Sequence, residues 1–178
     1  MKNVLALIGS AATSSVNHKL IEYILLEARD LFQVTVYDRL KTLPHFDPKR
    51  SLEHVPSEIT ELRNLIQGAD GVIISTPEYV FSIPSGLKNI IEWCVATTVF
   101  SGKPLGIITA STSGLKAHEE LQLIMHTLMA TFTPETTLLI QGVKGKIDAN
   151  GTIIDIQTTE GLQHLAKALF TLIGTGSK

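Results

Sequence analysis

Five short apolar runs, separated by amphipathic stretches, constrain the fold of this chain more than any other feature. The runs are rich in Val, Ile and Leu and have the length of buried strands, whereas the stretches between them repeat apolar residues at helical spacing. Strands that alternate with helices predict a doubly wound α/β sheet of parallel strands joined by right-handed crossovers. The predicted strands span residues 3–8, 33–37, 72–75, 105–109 and 136–140.

Five amphipathic helices are predicted between and after these strands. With 178 residues the chain has the length of one domain, whose core buries roughly 70 % of the surface of the unfolded chain. Ser14 or Ser15 is a suitable N-cap for the first helix, and Ser57 begins the second. The apolar residues that define the five helices are Val16, Leu20 and Ile24; Ile59, Leu62 and Ile66; Leu87, Ile90, Ile91, Cys94 and Val95; Leu121, Ile124, Met125, Leu128 and Met129; and Leu162, Leu165, Ala166, Leu169, Phe170 and Ile173.

Two connections differ from the short turns found elsewhere. Residues 38–56 contain three prolines, several charges and no periodicity, which predicts a long surface loop able to reach over a neighbouring site. Near the C-terminus, Asn150-Gly151 stands between β-forming residues in 146–154 and predicts a small hairpin.

Charge and cysteine content narrow the class of protein. The chain has 15 basic and 17 acidic residues, and this balance gives no reason to expect nucleic acid or a membrane as partner. The N-terminus lacks the features of a signal peptide, and no apolar run approaches the roughly 20 residues that span a bilayer. The single cysteine, Cys94, lies on an apolar helix stripe, and the histidines show no metal-ligand spacing. We expect a cytoplasmic globular protein without a metal site.

The chemistry of two loops indicates the strand order. In an open parallel sheet the ligand lies beyond the carboxyl ends of the strands, at the point where the strand order reverses. The loops after the first and third strands carry the residues best suited to a ligand. These two strands are neighbours at the reversal point of the flavodoxin-like order, 2-1-3-4-5, so we expect that order and a three-layer fold.

The loop after the first strand is suited to a phosphate group. It begins at Gly9 and leads into a helix, so its backbone amides and the positive end of the helix dipole favour an anion. No lysine or arginine lies between Gly9 and Asn17, and neither the Walker motif nor GxGxxG is present. The alternative is an ordinary strand-to-helix turn capped by serine. The candidate hydroxyl groups belong to Ser10, Thr13, Ser14 and Ser15.

The loop after the third strand lies between two prolines. Pro77 and Pro84 fix their own φ and favour extended conformations in the residues before them, which predicts a stiff loop. Such a loop carrying Tyr79 and Phe81 suits the flat ring of a flavin. The alternative is a buried connection whose aromatic rings simply fill core.

The stretch 76–93, TPEYVFSIPSGLKNIIEW, resembles the signature TPEYN-x-S-x-P-x-x-LKN-x-x-D-W of the NADPH-dependent FMN reductase family, which includes azoreductase-like and chromate-reducing quinone reductases. Residues 9–20 are similar to the family's phosphate loop, GS-x-R-x-x-S-x-N-x-x-L, and residues 100–104 to its F-x-GKP segment. The matching residues of the signature are Pro77, Glu78, Tyr79, Ser82, Pro84, Leu87, Lys88, Asn89 and Trp93, with Glu92 in place of Asp.

This resemblance implies a single flavodoxin-like FMN-binding domain over residues 1–178. It implies a homodimer or tetramer that passes hydride from NADPH or NADH through FMN to a small acceptor such as a quinone, by a ping-pong mechanism. No dedicated catalytic acid or base is expected, because the flavin carries out the chemistry.

The resemblance also assigns site residues by position. Lys88 and Asn89 are expected to be scaffold, and His118 a surface residue near the pocket. Ser10, Ser15 and Asn17, with Val16 beside them, would hold the phosphate; Pro77, Glu78, Tyr79, Val80 and Phe81 would run along the flavin ring; and Ser111, Thr112, Ser113 and Gly114 would approach from the third side.

Three departures from the family pattern concern the ligand. The phosphate-loop arginine falls at Ala12, the asparagine of PEYN at Val80, and the glycine that commonly follows it at Phe81. Loss of a charge-assisted hydrogen bond costs about 1.5–3 kcal/mol, or about one to two decades in affinity. Two other functions therefore stay open: a flavodoxin-like electron carrier that does not use NADPH, and a non-enzymatic binding protein with weakened flavin affinity. The small net charge argues against a carrier, since such carriers are strongly acidic.

Overall fold

One parallel sheet of five strands forms the centre of the molecule, in the order β2-β1-β3-β4-β5. The computed structural model describes residues 1–12 and 14–176. The strands are β1 (Lys2–Ile8), β2 (Phe32–Tyr37), β3 (Gly71–Thr76), β4 (Leu105–Ala110) and β5 (Thr137–Ile140). The flavodoxin-like order is confirmed, and every predicted strand agrees with the observed one to within one residue at each end.

The register of the sheet brings three strand ends together. Ile8 at the end of β1 pairs with Ser75 of β3, and Thr76 at the end of β3 pairs with Thr109 of β4. Because the strands are parallel, the loops that follow β1, β3 and β4 leave the same edge of the sheet side by side.

Five helices cover the two faces of the sheet: α1 (Val16–Glu27), α2 (Ser57–Gly68), α3 (Ser85–Cys94), α4 (Leu115–Thr127) and α5 (Ile156–Thr175). Alternate residues of β1 enter opposite cores, since Leu5 and Leu7 pack with α2, α3 and α4, whereas Val4 and Ala6 pack with α1 and α5. Cys94 belongs to the first of these cores, as predicted, and burial raises the pKa of its thiol to about 12.

Two helices end before their predicted apolar stripe does. Val95 follows the end of α3 and is exposed, and Leu128 and Met129 follow the end of α4. At the end of α4 the Ala130 amide donates to the Met125 carbonyl at 3.0 Å while Met129 takes a φ of 59°. This is the bonding of a Schellman motif, which terminates a helix with a left-handed residue.

The segment 38–56 contains two short 3₁₀ helices, Leu40–Thr42 and Pro48–Arg50, and is held against α3. The Pro44 carbonyl accepts hydrogen bonds from Asn89 Nδ2 at 3.0 Å and from Trp93 Nε1 at 2.9 Å. The buried side chains of Leu40 and Leu43 add apolar contact. Asn89 is therefore scaffold, as predicted, and it fixes this segment beside the strand ends.

The predicted hairpin is present as a single antiparallel bridge between Ile147 and Ile153. The Asp148 carboxylate accepts hydrogen bonds from the amides of Asn150 and Thr152, at 2.9 and 2.8 Å. This side chain organises the turn locally, so the turn needs no ladder of paired strands.

No helix within residues 1–12 and 14–176 combines the length and the apolar character required to cross a bilayer.

Candidate functional site

The loop after β1 lies directly against the end of β3. The Gly9 amide donates to the Ser75 carbonyl at 2.8 Å. A Cβ atom on Gly9 would lie only 2.5 Å from Oγ1 of Thr76, so this close approach requires glycine. The two loops predicted to share a ligand are thus in contact at their origin.

Asn17 ties the same loop to the sheet. Its side chain is 3 % exposed, and it donates to the Ala110 carbonyl at 3.4 Å while its Oδ1 accepts from Ser75 Oγ at 3.0 Å. Asn17 therefore links the first loop to the ends of β3 and β4, which is a positioning role. Direct contact of its side chain with a phosphate stays a prediction.

The start of α1 offers unpaired backbone donors. The amides of Ser14, Ser15, Val16 and Asn17 donate to no described residue, and Ser15 caps the helix by accepting from the His18 amide at 3.4 Å. The exposed Ser14 has a φ of 56°. Thr13, also a predicted phosphate ligand, lies outside the described residues. A row of free amides at a helix N-terminus is the arrangement that binds a phosphate.

Residues 79–82 form a tight turn at the tip of the second loop. The amides of Tyr79 and Ser82 each donate to the carbonyl of the other residue, at 2.9 and 3.1 Å. Val80 and Phe81, between them, have φ values of 51° and 59°, which are the left-handed values of a type I′ turn. Their side chains are 93 % and 75 % exposed. The turn keeps a shape suited to Asn-Gly but carries two apolar residues instead.

Two carboxylates hold this turn in place. Glu78 accepts from the Gly114 amide at 3.2 Å and from the Ala117 amide at 3.0 Å, so it caps α4 and joins the second loop to the third. Glu120 accepts from Ser82 Oγ at 2.7 Å and from the Ile83 amide at 3.0 Å. Pro77, before Glu78, is buried. Because both carboxylates are engaged, they serve the geometry of the site and not proton transfer.

The third loop joins β4 to α4 beside this turn. Gly114 precedes α4 with a φ of 82°, which permits the sharp entry into the helix. The Ser111 amide donates to the Ile140 carbonyl at 3.1 Å, which attaches the loop to β5. The side chains of Thr112 and Ser113 are exposed at the edge of the site. The structure thus brings together the three loops predicted from the sequence.

His118 differs from the prediction, because it is 9 % exposed and lies beneath the site instead of on the surface. Its Nδ1 lies 2.9 Å from Thr109 Oγ1, and burial lowers the pKa of the imidazole. Its spacing of three and seven positions from Leu121 and Met125 places it on the buried stripe of α4, but an ionisable side chain followed by two glutamates favours a surface position in a sequence-based prediction.

A cavity of about 300 Å³ lies between the first loop, the second loop and the segment 38–56. Ser10 and Tyr79 line it, and their hydroxyl oxygens are 3.4 Å apart. Lys41 and His45 line the opposite wall, which confirms that the segment 38–56 reaches the site. Sequence reasoning placed the segment there but missed these two side chains, because nothing in their local pattern distinguishes them from other loop residues.

The residues present fit FMN. The free amides at the start of α1 suit its phosphate, and the rigid turn beside Tyr79 offers exposed apolar and backbone groups to a planar ring. Ser10 and Tyr79 bridge the two subsites. The fit depends on backbone geometry more than on side-chain charge, since the loop from Gly9 to Asn17 is neutral.

Comparison with known proteins agrees with this geometry. Residues 2–144 match the family model described as NADPH-dependent FMN reductase. The chain is 32 % identical over 177 residues to the NADH:(hydroxy)cinnamate reductase subunit CrdA of Vibrio ruber, covering 95 % of this chain and 87 % of that protein. It is 30 % identical to a quinone reductase of Escherichia coli, covering 93 % and 90 % of the two chains.

A solved structure is similar over almost the whole length. The flavoenzyme FerB of Paracoccus denitrificans, an NAD(P)H:(acceptor) oxidoreductase, superposes with a TM-score of 0.82 at 26 % identity, covering 98 % of each chain. The match of the family model spans all three loops and the strands that carry them. This chain belongs to the NADPH-dependent FMN reductase family.

Proposed function

We propose that this protein is an FMN-dependent oxidoreductase that takes hydride from NADPH or NADH and passes it to a small acceptor such as a quinone. The observation that carries the proposal is the meeting of three loops at the ends of β1, β3 and β4, with amides at the start of α1 that donate to no described residue. Relatives named as quinone, flavin and cinnamate reductases support the same reaction class.

Bound FMN supplies the hydride transfer, and the residues of the chain bind and orient it. The amides before and within the first turn of α1 would hold its phosphate. The turn 79–82, fixed by Glu78 and Glu120, would support its ring. Glu78 of the second loop and Glu120 of α4 would serve this positioning, since their oxygens accept hydrogen bonds from the loops that they join.

One site serves both substrates in this proposal. Residues 1–12 and 14–176 form one five-stranded sheet with the three loops at one edge, so donor and acceptor would occupy the same face of the site in turn. We therefore propose ping-pong kinetics, in which plots of reciprocal rate at several acceptor concentrations are parallel.

The first test is a titration of the purified protein with FMN, followed by absorbance and flavin fluorescence, with NADPH or NADH then added in the absence of oxygen. Saturable binding followed by bleaching of the flavin band supports the proposal. Binding without bleaching by either nucleotide indicates an electron carrier. Failure to bind at tens of micromolar FMN overturns the enzyme proposal and favours a non-enzymatic binding protein.

We also propose that the chain assembles as a homodimer or tetramer in the cytoplasm. Leu115 and Leu123 on α4 and Val95 after α3 are exposed apolar side chains, and α3 and α4 cover the same face of the sheet. These residues support a contact surface between copies of the chain on that side of the molecule.

Light scattering after size-exclusion chromatography tests the oligomeric state. Leu123→Glu should reduce the mass to that of one chain, whereas Leu26→Glu, an exposed leucine on α1, should not. A monomeric wild-type protein would contradict the proposal, and a need for a second, different chain would relate it to the relatives named as subunits.

A further inference from the structure

The first loop supplies less positive charge than the phosphate of FMN carries negative charge. A phosphate monoester carries about −1.5 to −2 charges at pH 7, whereas a helix N-terminus contributes the equivalent of roughly +0.5. The stretch from Gly9 to Asn17 contains no lysine or arginine, and Ala12 stands at the position of the family's arginine. If the chain binds FMN as proposed above, a cation that balances the phosphate would come from another element.

A second, smaller cavity of about 160 Å³ indicates where that element lies. Ser10, Ala11 and Ala12 of the first loop form one wall. The opposite wall comes from the segment after β2 and from His18 on α1, and it includes Asp38, Arg39, Lys41 and Thr42. The segment after β2 thus presents Arg39 and Lys41, beside the acidic Asp38, to the neutral loop.

Two of the basic residues on that wall are already matched to acids. Arg39 Nη2 lies 2.8 Å from Glu61 Oε1, and its guanidinium lies 5.1 Å from the centre of the Tyr37 ring. His18 Nε2 lies 3.6 Å from Asp38 Oδ2. Because Arg39 is paired with an acid, it contributes little net charge to a nearby anion, and the His18 ring nitrogen faces Asp38, so neither group is assigned to the phosphate.

Lys41 is different, because its ammonium group makes no ion pair or hydrogen bond with any described residue. It stands on the short helix Leu40–Thr42 between the buried residues Leu40 and Leu43, which fix the backbone while the lysine side chain stays exposed. Lys41 also lines both cavities, which meet at Ser10 and Ala11. Its position is therefore set by the core, and its charge is available at the phosphate loop.

We propose that Lys41 supplies the positive charge for the FMN phosphate, in place of an arginine at position 12. This proposal rests on the proposed function. A lysine acts as a compact point charge on a flexible stem, which suits a contact reached across a groove from another loop. The amides at the start of α1 would fix the position of the phosphate, and Lys41 would neutralise it.

The test compares FMN with riboflavin, which has the same ring but no phosphate, by quenching of flavin fluorescence. Lys41→Gln should weaken FMN binding by about 10- to 100-fold and leave riboflavin binding unchanged. Lys41→Arg should retain most of the FMN affinity. Lys49→Gln is the matched control, since Lys49 lies in the same segment on the short helix Pro48–Arg50 and removes the same charge away from both cavities.

A double-mutant comparison makes the assignment specific. Ala12→Arg restores a charge within the loop, so Lys41→Gln should cost less FMN affinity in that background than in the wild type. Equal losses of FMN and riboflavin affinity in Lys41→Gln would show that the lysine does not serve the phosphate, and would overturn the proposal. An unchanged FMN affinity in Lys41→Gln, or a loss in Arg39→Gln in its place, would overturn it as well.

The failure of this inference differs from a failure of the proposed function. A wild-type protein that binds FMN more tightly than riboflavin, beside a Lys41→Gln variant with unchanged FMN affinity, keeps the phosphate site at the start of α1 and overturns the role of Lys41 alone. A wild-type protein that binds neither flavin overturns both proposals.

Discussion

Replacing Val80-Phe81 by Asn-Gly is expected to stabilise the protein in the absence of cofactor. A left-handed residue other than glycine costs roughly 1–2 kcal/mol, so the two residues together store roughly 2–4 kcal/mol. Asn tolerates the left-handed region better than a β-branched residue does. Glycine adds about 0.5–1 kcal/mol of conformational entropy to the unfolded chain, which offsets part of the gain. Because the two side chains are 93 % and 75 % exposed, little buried surface is lost.

The net gain in the free energy of unfolding should be about 1–3 kcal/mol. For a domain of this size each kcal/mol raises Tm by roughly 2–4 °C, so the double variant should melt roughly 2–12 °C higher. Urea unfolding of the apoprotein measures the same quantity, and the m-value should stay constant if only the folded state is relieved of strain.

Met129 provides the matched control. It has a φ of 59° and is 62 % exposed, but it follows α4 at the opposite end from the loops. Met129→Gly should therefore stabilise the protein through the same relief of strain without altering flavin binding. A double variant at 80 and 81 that is no more stable than the wild type, beside a Met129→Gly that is, would refute the strain argument for the turn.

Three further changes test the interior of the site. Gly9→Ala places a methyl group 2.5 Å from Thr76 Oγ1 and should destabilise the fold by about 1–3 kcal/mol in urea unfolding, whereas Gly68→Ala, with no atom within 4 Å, should not. His118 has a folded-state pKa below its usual 6.5 because it is buried, so the unfolded state takes up the proton first. The contribution of His118 to stability should then be constant above pH 6.5 and fall as the pH is lowered from there towards the folded-state pKa, and unfolding midpoints of His118→Asn should fall less over that range. The Cys94 thiol, whose pKa burial raises to about 12, should not react with a thiol reagent at pH 8 until urea unfolds the protein; a rapid reaction in the native state would contradict its burial.

The strands were predictable because each strand of a parallel sheet that is buried on both faces consists of a nearly continuous run of apolar residues. The run GVIIS at 71–75 is one example, and all of β3 is buried. The order then followed from the chemistry of two loops, because residues that share a ligand have to leave neighbouring strands.

What the sequence did not predict depends on contacts between distant residues. Lys41 and His45 become site residues only because Asn89 and Trp93 hold the Pro44 carbonyl against α3. Glu78, expected along the flavin ring, caps α4 through its side chain. Likewise, the apolar residues after α4 suggested a longer helix, but the Schellman bonding at Met129 ends it.

The hydrogen bonds accepted by Glu78 and Glu120 fix the backbone on both sides of the turn 79–82. They do not depend on which residues occupy positions 80 and 81. Both carboxylates accept hydrogen bonds from backbone amides outside positions 80 and 81 or from the Ser82 hydroxyl, and Glu120 also lies 3.7 Å from Lys88 Nζ. Substitutions at positions 80 and 81 should therefore change only the local backbone strain of the turn. The hydrogen bonds of Glu78 and Glu120 around it should stay in place. A library randomised at these two positions would sample different acceptor preferences on one unchanged scaffold, and the present Val-Phe pair is one member of that set.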